Sequence, residues 1–104
     1  MLMNEPIVPL IFKNDGDRNF FQFIINSQLA SIEYKLIGKD RILLLNVYVS
    51  KCLSMDEVGN ALIERVLDHI HRTGLKIIPF SPIIKTYIHR NKQHQKLVVT
   101  INKH

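Results

Sequence analysis

The stretch "YVSKCLSMDEVGNALIERVLDHIHRTGLKIIPF", residues 48–80, contains the change of period that decides the fold. An apolar segment ends at Val49, a short polar turn follows, and apolar residues then recur every four positions from Val58 to Ile70. This spacing predicts an amphipathic helix with one buried stripe. The apolar residues 75–80 return to the character of a strand. The stretch therefore predicts a strand, a helix and a second strand in succession.

The turn "SMDEVG", residues 54–59, has two interpretations. The first N–H groups of a helix lack intrahelical partners, so those of residues 57–60 can hold a phosphate, and Gly59 permits close approach. Asp56 and Glu57 oppose this interpretation because they repel an anion. The alternative is helix capping, with Ser54 as N-cap and Glu57 completing a capping box. The residues alone leave both interpretations open.

The rest of the chain supplies further strands and one more helix. The predicted strands cover residues 6–13, 20–25, 29–37, 41–49, 75–80 and 95–102. The first helix ends at Gly74, and the second covers residues 81–91 with Pro82 in its first turn. Together they predict one mixed α/β (α+β) domain over residues 1–104, with a mostly antiparallel mixed sheet and two helices.

Two of these strands carry more specific expectations. The segment 41–49 is almost continuously apolar, which is typical of a central strand buried on both faces. The segment 29–37 alternates, which predicts one buried and one exposed side. Its inward residues would be Ile32, Tyr34 and Leu36, and its outward residues Glu33 and Lys35.

Charge is unevenly distributed along the chain. The net charge is +5, yet all nine acidic residues lie at or before Asp68, together with seven Lys/Arg. The residues after Asp68 contain seven Lys/Arg and no acid. A basic C-terminal third indicates an anionic partner such as nucleic acid or a phosphorylated cofactor, or simply a solvated basic surface.

The sequence favours a cytoplasmic protein without a membrane span. The longest apolar run, residues 42–49, is too short to cross a bilayer, and no signal-peptide pattern is evident at the start. Cys52 is the single cysteine, which excludes an intrachain disulfide and suits a reducing compartment. We expect a buried, inert thiol at this position.

The segment "SPIIKTYIHRN", residues 81–91, combines several reactive side chains. Ser81 and Tyr87 can form a hydroxyl relay, and Lys85 and Arg90 can face a phosphate. The alternatives are an N-cap role for Ser81 and a core position for Tyr87. The two histidines of "DHIHR" are two residues apart and do not face each other on a helix, so no metal site is predicted. Asp68 and Arg72 form an ordinary i,i+4 surface pair there.

The segment from residue 30 to residue 97 resembles the small single-domain GCN5-related N-acetyltransferase-like (GNAT-fold) proteins. Their pattern is a strand ending in His-Thr-x-Val, then Leu-Arg-Gly-x-Gly-x-Gly, a helix, Gly-Leu-Lys followed by two aliphatic residues and Pro, and a turn Cys six residues before a Tyr. "GLKIIPF", residues 74–80, and Tyr87 match it. The family arginine falls on Ser54, its glycines on Met55, Glu57 and Gly59, its His-Thr pair on Asn46 and Val47, and its cysteine on Ser81.

The resemblance implies acetyl-coenzyme A as cofactor and an amine as acetyl acceptor. It implies that cofactor is bound by the end of the preceding strand and by the loop, namely by Val47, Tyr48, Val49, Met55, Asp56, Glu57, Val58, Gly59 and Asn60. It also implies that Ser81, Tyr87 and Asn46 are the catalytic candidates. From charge, we expect Lys85 and Arg90 to face the 3′-phosphate.

Two functions of different class follow. The first is an acetyl-coenzyme A-binding N-acetyltransferase acting on an unknown amine. The second is a catalytically inactive GNAT-fold binding module that contacts nucleic acid or an acidic protein through its basic C-terminal third, "KTYIHRNKQHQK", residues 85–96. Nucleic acid is the less favoured partner because aromatic residues for base stacking are few there.

Overall fold

The computed structural model describes residues 8–99, which form a five-stranded sheet with helices packed against it. The strands are β1 (Ile11–Asp15), β2 (Arg18–Ile25), β3 (Gln28–Ile37), β4 (Arg41–Val49) and β5 (Lys76–Pro79). They lie in the order β1-β2-β3-β4-β5, antiparallel except for the parallel pair β4–β5. The mostly antiparallel mixed sheet predicted from the sequence is therefore confirmed.

Two helices, each accompanied by a short helical segment, follow β4. A π-helical turn, Met55–Gly59, leads directly into α1 (Asn60–Thr73). Helix α2 (Pro82–Arg90) follows β5, and a short 3₁₀ helix covers Lys92–Leu97. None of the helices between residues 8 and 99 is long and apolar enough to cross a membrane.

The predicted apolar stripe of α1 is the centre of the core. Its buried residues are Leu62, Ile63, Val66, Leu67 and Ile70. They pack with Ile84 and Ile88 of α2 and with one face of the sheet, where the buried residues are Phe21, Phe23, Ala30, Ile32, Ile42, Leu44 and Ile77. Full burial of each large aliphatic side chain contributes about 1.5–3 kcal/mol. The helix stops at Gly74, whose φ of 80° is left-handed, as the sequence predicted.

The prediction that β4 is buried on both faces is wrong. Ile42 and Leu44 are buried, but Asn46 and Tyr48 are exposed on the opposite face, because the register shift against β3 leaves Leu45 as an extra residue between Leu44 and Asn46. The physical reason is that α1 and α2 share one core on one face of the sheet, and the residues of the other face are mostly exposed or half-buried. Strand β4 is nevertheless an interior strand, since β3 and β5 pair with its two edges.

The alternation predicted for β3 is only partly correct. Ile32 is fully buried and Lys35 is exposed, but Leu36 is 53% exposed and Glu33 is buried. The register against β4 shifts between Glu33 and Tyr34, which pair with Asn46 and Leu44, so the extra residue is Leu45 of β4. Leu36 pairs with Ile42 near the end of the strand. Glu33 does point to the outer face, where neighbouring polar side chains cover it.

The chain ends also differ from expectation. The predicted strand 95–102 is wrong in its first part, because Gln95 to Leu97 belong to the 3₁₀ helix. Val98 then forms a single parallel bridge to Ile77, and the rest of the predicted strand beyond Val99 lies outside the described residues. The predicted strand 6–13 begins outside them as well, and β1 starts at Ile11.

Candidate functional site

The parallel strands β4 and β5 separate after a short pairing. Their register ends at Leu44 and Pro79, and the N–H groups of Phe80 and Ser81 both donate to the carbonyl oxygen of Leu44, at 3.1 and 3.2 Å. Strand β4 continues to Val49 with β3 as its partner on the other edge. A strand edge without a neighbour presents N–H and C=O groups that can pair with an extended ligand.

The start of the first helical segment is capped by its own residues. The Oγ of Ser54 accepts the N–H of Glu57 at 3.1 Å, as the capping interpretation predicts. The carbonyl of Ser54 accepts the N–H groups of Val58 and Gly59, at 2.8 and 3.3 Å, and the N–H of Asn60 donates to carbonyls within the turn. The expectation that the N–H groups of residues 57–60 are free is therefore wrong, because the π-helical turn consumes all four.

A cleft of about 370 Å³ lies between this helix start and α2. No residue of β4 or β5 lines it, but Pro82 of the lining directly follows Ser81, whose N–H donates to the Leu44 carbonyl where the strands separate. Its lining combines apolar, amide, hydroxyl and charged groups: Met55, Asp56, Asn60, Pro82, Ile83, Thr86, Tyr87, Arg90 and Asn91. The two charged side chains of this lining, Asp56 and Arg90, have opposite sign.

The structure brings some of the predicted cofactor residues to this cleft and leaves others outside its lining. Met55, Asp56, Asn60 and Arg90 line it. The residues that do not are Val47, Tyr48 and Val49 of β4, Glu57, Val58 and Gly59 of the turn, and Lys85 of α2, which is exposed. Gly59 is buried beneath Met55: a Cβ added to it would lie 2.5 Å from the Met55 Cε.

Tyr87 lines the cleft with its ring while its hydroxyl points to α1. The hydroxyl donates to Oε1 of Glu64 at 2.6 Å, and Nε2 of His94 lies 2.8 Å from the same oxygen. Burial and the neighbouring carboxylate raise the pKa of Tyr87. Burial alone would raise the pKa of Glu64, but the hydrogen bonds from Tyr87 and His94 outweigh it and lower that pKa. The Tyr87 side chain at this wall of the cleft is thus a phenol that is hydrogen-bonded to a carboxylate.

Ser81 lies where β5 gives way to α2. It is 3% exposed and has extended backbone angles at the N-cap position, yet its side chain makes no capping bond to α2. Ser81 therefore occupies the predicted N-cap position, but the predicted hydrogen bond from α2 to its side chain is not formed. Ser81 adjoins the separation of β4 and β5 through its N–H bond to the Leu44 carbonyl, but it is not among the residues that line the cleft.

Asn46, the third catalytic candidate, belongs to a polar cluster on the outer face of the sheet. Its Nδ2 donates to Oε1 of Glu33 at 3.1 Å, and the Tyr48 hydroxyl donates to the same oxygen at 3.2 Å. Arg18 binds both carboxylate oxygens, with Nε at 3.0 Å and Nη2 at 3.1 Å. The hydrogen bonds from Arg18 and Asn46 lower the pKa of Glu33 to about 2, against the opposing effect of burial. This carboxylate is consequently a poor proton acceptor.

Sequence reasoning missed Glu64, His94 and the cleft residues Pro82, Ile83, Thr86 and Asn91. Glu64 adjoins the apolar stripe of α1, which was a weak signal of a partly buried carboxylate. His94 is 7% exposed because the 3₁₀ helix turns it toward α1, and periodicity could not show this in a segment assigned partly to a strand. Cys52, expected to be buried, is exposed.

Comparisons with known proteins agree with this architecture. The model of the family described as "GCN5-related N-acetyl-transferase" matches residues 20–97. The solution structure of a GCN5-like protein from Staphylococcus aureus is similar to this chain with a TM-score of 0.62 and 24% identity, over 91% of this chain and 93% of that one. At that identity the likeness shows a shared fold. No curated protein matches the chain.

Proposed function

Because the chain belongs to the GCN5-related N-acetyltransferase family, we propose that it binds acetyl-coenzyme A and transfers the acetyl group to an amine. The observation that carries the proposal is the separation of β4 and β5 beside a cleft between the first helix start and α2. The free edge of β4 can pair with the amides of an extended pantetheine arm.

In this proposal the edge of β4 and the lining of the cleft have separate tasks. Residues 45–49 of β4 bind the arm through their backbone, and Thr86 and Asn60 supply polar groups in the cleft lining. Arg90 supplies a positive charge for a phosphate. Bound there, the cofactor would supply an acetyl thioester. The amine nitrogen would form a bond to the acetyl carbon as the C–S bond breaks, the sulfur would take up a proton, and the proton lost by the nitrogen would restore the donor through solvent.

Ser81 is the best placed of the three catalytic candidates to donate that proton. Its hydroxyl makes no capping bond and lies beside the separation of the strands, whereas the Tyr87 hydroxyl is engaged by Glu64 and the Asn46 amide by Glu33. We assign Tyr87 to the wall of the cleft and Asn46 to the outer-face cluster that supports β4. Glu33 is excluded as general base by its lowered pKa.

The test is calorimetric titration of acetyl-coenzyme A, followed by mass spectrometry of a panel of amines incubated with protein and cofactor. Thr86→Trp places an indole in the cleft and should abolish binding. Lys85→Trp, at the adjacent exposed position outside the cleft lining, is the matched control and should bind normally. Absence of binding by the wild type would overturn the proposal. Binding of RNA in place of the cofactor would favour the binding-module function. In that case the affinity for RNA should fall steeply as the salt concentration is raised.

A further inference from the structure

Part of the hydrogen-bonding capacity at the helix start is already used by the cap of this chain. A phosphate at such a position depends on N–H groups that have no acceptor of their own. Here Ser54 accepts the N–H groups of Glu57, Val58 and Gly59 through its hydroxyl and carbonyl oxygens, and Asn60 donates within the turn. The Ser54 cap therefore removes the Glu57 N–H from the donors that could reach the diphosphate of coenzyme A.

The charges around the cleft give it little attraction for phosphate groups. Asp56 lines the cleft, and Glu57 follows it as an exposed carboxylate. Of the positive side chains of α2, Arg90 lines the cleft while Lys85 does not. The charged lining therefore sums to zero, with a second carboxylate adjacent. Coenzyme A carries a diphosphate and a 3′-phosphate, so its nucleotide end meets little net attraction here.

The space above the remaining glycine is also filled. The Met55 side chain lies on Gly59, with Sδ and Cε at 2.6 and 2.5 Å from the position that a Cβ would take. A glycine is useful at a phosphate site because ligand and backbone can approach closely. Met55 prevents that approach and places an apolar thioether at the mouth of the cleft instead.

The neutral part of the cleft remains suited to a ligand. Pro82 and Ile83 add apolar surface beside Thr86 in its lining, and the edge of β4 beyond Leu44, which is outside the lining, has no β5 partner. A pantetheine arm has the matching chemistry, since it is uncharged, carries amide groups and has a branched apolar centre. A strand edge recognises such a chain through its backbone groups.

We propose that this site recognises the neutral acyl-pantetheine arm and that the nucleotide end of coenzyme A contributes little to binding. The substrate class is then acyl thioesters of pantetheine, with or without the adenosine nucleotide. This proposal rests on the proposed function, since both place the thioester in the same cleft. It adds that Met55, Asp56 and Glu57 determine the specificity of the site.

The test compares three probes by calorimetry on the whole chain: acetyl-coenzyme A, S-acetylpantetheine and adenosine 3′,5′-bisphosphate. We expect the two thioesters to bind with dissociation constants within about threefold of each other, which is less than 1 kcal/mol. The bisphosphate should not displace either. Acetyl-coenzyme A binding about thirtyfold tighter than S-acetylpantetheine, or more, would overturn this inference and leave the proposed function intact. Absence of binding by both thioesters would overturn both.

A charge variant gives a second readout. Asp56→Asn with Glu57→Gln should tighten acetyl-coenzyme A several-fold and leave S-acetylpantetheine unchanged, because only the first has phosphates for the carboxylates to repel. The matched control is Asp15→Asn with Asp17→Asn, at the β1–β2 hairpin on the far edge of the sheet, which changes the net charge equally. An equal gain in both double variants would show a general charge effect and contradict the assignment of Asp56 and Glu57.

Discussion

The hydroxyl of Tyr87 donates to Oε1 of Glu64 over 2.6 Å, so the wall of the cleft is tied to the first helix. The same oxygen lies 2.8 Å from Nε2 of His94, and the Tyr87 and His94 rings stack with centroids 6.2 Å apart. Three elements, α1, α2 and the 3₁₀ helix, thus meet at one carboxylate oxygen. The raised pKa of Tyr87 means that this phenol serves as a hydrogen-bond donor and not as a readily ionised acid.

Tyr87→Phe is expected to lower the free energy of unfolding by about 1–2 kcal/mol, because a hydrogen bond to a carboxylate is lost. Acetyl-coenzyme A affinity should stay nearly unchanged, since the ring still lines the cleft. Urea unfolding and calorimetry measure the two quantities. Tyr48→Phe, which removes a bond to Glu33 on the outer face, is the control for loss of a hydroxyl outside the cleft. A large fall in turnover with unchanged stability would show instead that Tyr87 donates its proton in the reaction.

Acid should destabilise the protein partly through Glu33. Its pKa is about 2 in the folded chain against an ordinary 4.5, so the unfolded chain binds more protons between these values. Its contribution to stability is therefore complete above the ordinary pKa and is lost as the pH falls toward 2. Glu33→Gln should flatten this part of the curve of unfolding free energy against pH, and Tyr48→Phe should flatten it less. A Glu33→Gln curve parallel to that of the wild type would contradict the role of the Arg18 contact.

The two predicted N-cap serines should respond differently to alanine. Ser54→Ala removes the bond to the Glu57 N–H and should cost about 1 kcal/mol of unfolding free energy. Ser81 makes no capping bond, so Ser81→Ala should cost clearly less. Chemical denaturation of both variants measures the difference. Equal losses would mean that the Ser81 hydroxyl has a structural partner in solution.

Ser81 is also the residue whose change should affect turnover most selectively. Ser81→Ala should reduce kcat by about a hundredfold or more, the range for loss of a general acid, without changing the Kd of acetyl-coenzyme A. Ser81→Cys retains a proton donor of similar size and should keep most of the activity. Steady-state kinetics with calorimetry separates the two parameters. Full activity of the alanine variant would remove Ser81 from the reaction.

Gly59→Ala tests the contact with Met55. Alanine is favoured over glycine in a helix by about 1 kcal/mol, but here its Cβ must displace the Met55 side chain. We therefore expect Gly59→Ala to be more favourable in a Met55→Ala background than in the wild type. A double-mutant cycle from urea unfolding gives this coupling energy. Additive effects would mean that Met55 does not rest on Gly59 in solution.

Features set by local periodicity could be predicted from the sequence. The stripe of α1, its end at Gly74 and the Ser54 cap follow from residue spacing, side-chain chemistry and the left-handed preference of glycine, and the structure has all three. The antiparallel strands before α1 follow from short apolar segments separated by turns. These depend on neighbours within a few residues, which a sequence displays directly.

Features set by tertiary contacts could not be predicted in the same way. Whether Asn46 and Tyr48 are buried depends on which face of the sheet the helices cover, and the bulge beside Glu33 depends on the partner strand. The Tyr87–Glu64–His94 contact joins residues 23 and 30 positions apart. Of the N–H groups of residues 57–60, a helix that starts after Ser54 leaves only that of Glu57 without an intrahelical acceptor, and the Ser54 hydroxyl caps it.

The exposed Cys52 gives the chain a practical property. It is the single cysteine of the sequence and lies in the loop before the π turn, three positions ahead of Met55 at the cleft. A maleimide fluorophore would therefore attach at one known place, without engineering, close to the site proposed to bind the thioester. If a ligand binds beside Met55, the fluorescence of that label offers a direct readout of its binding.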